Sequence, residues 1–239
     1  MGILQSVTEK TKQLVEAEFD YTSSSDFDNL ESLNQDCTGL VMEATVIYFE
    51  INNIDFMLKT GKRLAARGYK IIYHVLHEIC EATGGHFNCY SPKSFLLIYP
   101  KEKFDETYVV DIAIKTANLL NINLREIIEK HTHLNFGIGI DDGNILGTKA
   151  IDENGYSHIA WFGHTIEKAI TLCHLSQRPF FVSVSRSVYH HLDESLKTTT
   201  KSILGIKKEV SLWTRQSYQF DNVKKHLYQT NAQRSFNDE

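Results

Sequence analysis

The side chains of this 239-residue chain that could do chemistry by type and spacing fall into a few groups. His74 and His77 stand three apart in a stretch of helical periodicity, His131 and His133 two apart before a strand, and His190 and His191 are adjacent. Imidazoles so spaced can ligate a transition metal, but a site needs a third ligand at workable spacing, and none accompanies any pair. These histidines read as solvated or packed. Asp141-Asp142-Gly143 sets two carboxylates side by side, as divalent-cation or acid–base chemistry requires. The same triplet is a turn signal, and a hairpin turn accounts for it. Cys37, Cys80, Cys89 and Cys173 lack metal-type spacing and fit free thiols in a reducing cytoplasm.

Composition narrows the classes. Hydrophobic residues make up 42% and charged residues 23%, as in a globular protein of one core with short extensions. A net charge of -5 gives no electrostatic case for nucleic acid as a partner. No stretch approaches the ~20 apolar residues that span a bilayer, and charges recur every few residues in 1–18, unlike a signal peptide. A membrane partner is therefore not expected. Met1-Gly2 with Ser6 matches a myristoylation pattern so short that chance explains it.

The elements that must position any site follow from periodicity. A short helix is expected over 7–19, then a polar loop over 21–36. Residues 44–51 are β-branched and aromatic, as in a buried strand. Helical spacing over 56–82, with a break at Gly61 or Gly68, ends at Gly84-Gly85. A hairpin over 86–99 turns through Ser91-Pro92-Lys93-Ser94, and a long amphipathic helix covers 107–130. Strands at 134–140, 144–147, 157–162 and 180–184 alternate with helices at 163–175 and 185–192. The order predicts an α+β fold, helices over a mainly antiparallel sheet. Residues 1–42 read as an N-terminal extension, 43–205 as the main domain, and 206–239 as an added strand or arm with a tail.

Five landmarks in order resemble class III adenylate and guanylate cyclase domains, over roughly 43–192. They are Val46-Ile47-Tyr48-Phe49-Glu50-Ile51-Asn52-Asn53-Ile54-Asp55, Ala82-Thr83-Gly84-Gly85, Gly137-Ile138-Gly139-Ile140-Asp141-Asp142-Gly143, Trp161-Phe162-Gly163-His164-Thr165-Ile166, and 181–185. The resemblance implies a ferredoxin-like core that dimerises head to tail. In that family two aspartates hold two metal ions, and a partner supplies an asparagine, an arginine and two base-reading residues. Carried over, the metal aspartates fall on Glu50 and Lys93, the base-reading lysine and aspartate on Cys89 and Ala160, and the asparagine and arginine on Glu167 and Thr171. An ammonium ~4 Å from a divalent cation is repelled by roughly 8 kcal/mol at an effective dielectric of 20. Relieving half of that still costs ~10³ in affinity.

The resemblance thus implies a degenerate cyclase: no catalytic residues, no metal, and no cofactor, with magnesium or manganese relevant only if the chain is active. Glu50 and Asp55 are the carboxylates left for a metal, though Asp55 also suits a helix cap. Lys93 either pairs with Glu50 in the metal's place or points into solvent. Three functions stay open: a catalytically inactive dimerisation or nucleotide-binding module, an active divergent cyclase, and a purely structural unit. The implied partners are a second copy or an active cyclase, and a nucleotide. The tail with Trp213 and the lead-in Phe19-Asp20-Tyr21 resemble bacterial anti-phage cyclic-pyrimidine cyclases.

Overall fold

Alternation along one strand sorts the molecule into layers. In β2 (Thr38–Ile51), Ile47, Phe49 and Ile51 point to one face and Met42, Ala44, Val46 and Tyr48 to the other, none more than 5% exposed. A strand buried on both faces must lie between two covering layers. The computed structural model describes residues 3–24, 33, 38–101, 106–131, 134–151, 157–176, 181–203 and 206–231.

The chain opens with α1 (Ile3–Glu16) and β1 (Asp20–Ser23), which pairs parallel to β2 where a loop is expected from sequence. Cys37 lies outside the described residues, as do Met1 and Gly2. After β2 come α2 (Ile54–Thr60) and α3 (Lys62–Ala82), broken at Gly61, while Gly68 is buried inside the helix. The hairpin β3 (His86–Ser91) and β4 (Ser94–Pro100) leads to α4 (Glu106–His131). On the first face of β2, Ile72 and Leu76 of α3 and Val110 and Ile114 of α4 close the larger core. There Phe49 stacks on Phe136 at 5.1 Å, and each fully buried phenyl contributes about 2 to 3 kcal/mol.

β5 (Phe136–Ile151) differs from the sequence expectation. It runs unbroken past Asp141-Asp142-Gly143, antiparallel to β2 from Gly39↔Thr148 to Ile51↔Phe136. The turn signal is overridden because both aspartates are held mid-strand by ion pairs, described below. β6 (Ser157–Phe162) returns along β5, and α5 (His164–Leu175) packs Ile166, Ala169 and Cys173 beside Trp161 on the second face. Then follow β7 (Val182–Ser185), α6 (Arg186–His191) and α7 (Glu194–Lys197).

The C-terminal segment forms two hairpins. β8 (Thr198–Ile203) and β9 (Ile206–Ser211) make a separate two-stranded sheet. β10 (Thr214–Phe220) and β11 (Val223–Thr230) extend the main sheet, because β11 pairs with β7 from Leu227↔Ser185 to Thr230↔Val182. Trp213 anchors the join: its Nε1 donates to the Leu196 carbonyl at 2.9 Å. Among the described residues the main sheet has nine strands, ordered β10-β11-β7-β5-β2-β4-β3, with β1 and β6 paired off β2 and β5. All its pairings are antiparallel except β1–β2 and β5–β7. Among the described residues no helix is long and apolar enough to cross a membrane.

α5 lies directly on β5 because Gly137 and Gly139 have no side chains. A Cβ on Gly139 would sit 2.0 Å from the Ala169 carbonyl oxygen and 2.4 Å from the Cys173 nitrogen; one on Gly137 would sit 2.7 Å from the Cys173 carbonyl oxygen. Backbone cannot give way as a side-chain tip can. Gly139→Ala should therefore cost about 3 kcal/mol in urea denaturation. Gly84, at φ +74° with nothing within 4 Å of its Cβ position, supplies the contrast. Gly84→Ala should cost only about 1 kcal/mol, from backbone strain alone. Equal costs at the two positions would refute the packing account.

Candidate functional site

Glu50 shares strand parity with Val46 and Tyr48, so it faces α5, and it is 6% exposed. The β3–β4 turn is pinned against this end of β2. The Ile51 amide donates to the Lys93 carbonyl at 2.8 Å, and the Ser91 and Ser94 hydroxyls close the turn at 2.5 Å. That placement brings Lys93 Nζ to 2.8 Å from Glu50 Oε1. Of the two orientations left open for Lys93, the structure has the ion pair. His174 Nε2, from the last turn of α5, lies 3.0 Å from Glu50 Oε2, and the Tyr48 hydroxyl donates to the same oxygen at 3.2 Å. Both carboxylate oxygens are thus engaged within one chain.

Burial alone would raise the Glu50 carboxyl, but hydrogen bonds from Lys93 and His174, then their charges, hold it below the ordinary range. Lys93 is raised by its hydrogen bond to Glu50 and that carboxylate's charge, with a smaller contribution from Asp55. Asp55 sits in the first turn of α2, one residue inside the helix rather than at its cap, and is exposed.

The remaining sequence candidates disperse. Glu167, Thr171 and His174 form one stripe on α5. Glu167 pairs with His164 at 3.4 Å, and the Thr171 hydroxyl donates to the Glu167 carbonyl at 2.9 Å. Cys89 is exposed on β3, its sulfur 3.7 Å from the Tyr69 hydroxyl. Ala160 sits on β6 opposite Thr148. Among the described residues, no hydrogen bond joins Cys89 or Ala160 to Glu50 or Lys93. Sequence reasoning missed His174; its position seven residues after Glu167, on the same helical stripe, was the available signal.

Asp141 and Asp142 point to opposite faces of β5. Asp141 is fully buried and takes Lys168 of α5 at 2.9 Å. Burial pushes its carboxyl up, opposed by the Lys168 charge and the Ser185 hydroxyl. Asp142 takes Lys101 at 3.2 Å and His191 at 3.3 Å, and Lys101, 7% exposed, also reaches Glu43 at 3.2 Å. The histidine pairs separate in role. His74 and His77 each lie 3.7 Å from Glu78, and His190 accepts from Arg186 Nε at 3.1 Å while its neighbour serves Asp142. His133, and the side chain of His131, lie outside the described residues.

A depressed carboxyl contributes stability above its ordinary value and loses it as pH falls through its folded value. The raised lysine contributes below its ordinary value and loses this as pH rises through its folded one. Lys93 is 48% exposed, so screening keeps the pair modest. Lys93→Ala should cost about 1 kcal/mol at neutral pH. In urea titrations that cost should vanish as pH drops well below 4.5, the ordinary glutamate value. A cost that stays constant into acid would remove the ion pair from the account.

No protein-family model matches the sequence, and no curated protein matches it. Solved structures do. The guanylyl cyclase Cya2 is 11% identical, with 80% of this chain and 92% of that one covered at a TM-score of 0.63. A class III adenylyl cyclase-like ATP-binding protein from Pseudomonas aeruginosa is 13% identical at TM-score 0.63; the match covers 82% of this chain and 44% of that one, less than half its length. A non-canonical dimeric guanylyl cyclase domain of the RhoGC fusion protein from the aquatic fungus Blastocladiella emersonii is 17% identical, covering 79% and 96%, at TM-score 0.56. At such identities the likeness concerns architecture, and on it this chain has the fold of a class III nucleotide cyclase domain.

Proposed function

We propose that this chain is a cyclase-homology module that does not carry out two-metal cyclisation, and that acts by dimerising or by holding a nucleotide without turning it over. One observation carries the reading: Lys93 Nζ is 2.8 Å from Glu50 Oε1. The resemblance to class III cyclases implies two divalent ions held by carboxylates from the β2 end and from the hairpin turn. Here an ammonium stands at the turn, and the far oxygen of Glu50 is taken by His174 and Tyr48. The donor set does not fit a pair of divalent ions. Glu167 adds a negative charge on α5, and the Thr171 hydroxyl is spent on its own helix. The likeness to an ATP-binding protein and to a dimeric cyclase domain supports nucleotide binding and pairing as what remains.

An active divergent cyclase is the second reading, favoured by the half-exposed Lys93 side chain and by the nearby charge of Asp55. If Lys93 swings out, Glu50 and Asp55 are the carboxylates left to the site. Incubation with ATP, GTP, CTP and UTP plus manganese, at stoichiometric protein, separates the two. The expected chromatogram holds no cyclic nucleotide; any cyclic product overturns the first reading. Lys93→Asp should also raise manganese affinity about a hundredfold, read by electron paramagnetic resonance, because it replaces a repelled neighbour with a ligand.

A further inference from the structure

We infer that the junction of β7, α6 and the β10–β11 hairpin is an anion site for a phosphoryl-bearing ligand. β11 pairs with β7 only from Leu227 onward, so residues 223–226 run past the end of β7 and leave a gap beside α6. The gap is a cavity of about 240 Å³ lined by Lys168, Ser185, Arg186, Ser187, Tyr218 and the run Lys224, Lys225 and His226. Lys168, Arg186, Lys224 and Lys225 all contribute to the lining of one small cavity, Lys225 from the Tyr218 face of the hairpin and Lys224 from the other, in a chain whose net charge is -5.

The charges are not matched from within. Lys168 has its carboxylate in Asp141. Among the described residues, no carboxylate lies within ion-pair distance of Arg186, Lys224 or Lys225. Arg186 Nε is turned toward His190, and Lys225 Nζ lies 4.5 Å from the Phe220 ring centroid. Like charges held together without counter-charges repel unless an anion joins them.

Tyr218 supplies an independent sign. It is 8% exposed, stands opposite Lys225 in the hairpin and lines the cavity, yet its hydroxyl has no hydrogen-bond partner among the described residues. The hydroxyl is not sealed from solvent, so it is open to an acceptor oxygen that enters the cavity its residue lines. Burial pushes the phenol up to about 12, with the Asp141 charge adding, so at neutral pH it is a donor. A donor ringed by cations selects an acceptor-rich anion.

Size narrows the ligand. Pockets that enclose drug-sized molecules run from about 300 Å³ upward, so this one takes a phosphate chain rather than a whole nucleotide. The chain can belong to free polyphosphate or to the tail of a nucleotide whose base lies outside. The site lies beyond the opposite half of α5 from His174 and Glu50, and it does not depend on the reading above.

Titration of the full chain with inorganic tripolyphosphate, without metal and at ionic strength matched with sodium chloride, is the test. Saturable heat and a rise of several degrees in Tm are expected. Tyr218→Phe, which keeps the ring, should weaken binding about tenfold. Lys224→Ala/Lys225→Ala should weaken it further, while Lys93→Ala leaves it unchanged. ATP competing with tripolyphosphate identifies a nucleotide tail, and competition from free polyphosphate alone identifies the inorganic chain; both support the site. No saturable binding up to about 10 mM, equal affinity in Tyr218→Phe, or competition by adenosine would overturn it.

Discussion

Everything at the Glu50 end of the molecule rests on how closely α5 can approach β5. Gly137 and Gly139 let helix backbone touch strand backbone, with no side chain between them. That contact fixes the height of α5 over the sheet. At one end of the helix it delivers His174 to Glu50, and a turn and a half earlier it delivers Lys168 to Asp141. A side chain at Gly139 would lift both at once. The charged contacts of the second face therefore depend on two positions that carry no functional group.

A common pattern runs through the charged interior. Glu50, Asp141 and Asp142 are all almost wholly buried, and each has a lysine of its own: Lys93, Lys168 and Lys101. Removing water from a carboxylate costs several kcal/mol unless a partner compensates it. The three lysines come from a hairpin turn, a helix and the residue just after β4, so the pairing was built separately around each acid. In the Glu50 case the partner comes from the β3–β4 turn, and His174 takes the second oxygen.

Much of the fold was legible in the sequence because it is set by local pattern. The apolar half of β2 at 44–51, the hairpin turn at 91–94 and the helices around Gly61 and Gly163 all stand close to where composition and periodicity put them, though β2 begins earlier, at Thr38. The resemblance set the turn against the end of β2 and left Lys93 either paired with Glu50 or in solvent; the structure has the pair. What was not legible depends on long-range pairing. Asp141-Asp142-Gly143 looks like a turn locally, but thirteen residues of register with β2 and two buried ion pairs hold it straight. Tyr218 and Arg186 lie far apart in sequence and meet only because β11 joins β7.

The two ends of the sheet have a further consequence. β10 and β3 end its main strand order, with β1 and β6 attached beside β2 and β5, and an open strand is a template on which another chain can add itself. β10 presents Thr214, Arg215, Gln216 and Ser217 to solvent, a polar run with a charge in it that gives an incoming strand little apolar surface. β3 is irregular, its register with β4 shifting between Cys89 and Ser91, and such a bulge spoils the ladder that strand addition needs. The two ends of the strand order are thereby guarded against growing from molecule to molecule, and with helices over both faces of β2, selective association is left to helical surface rather than to bare sheet.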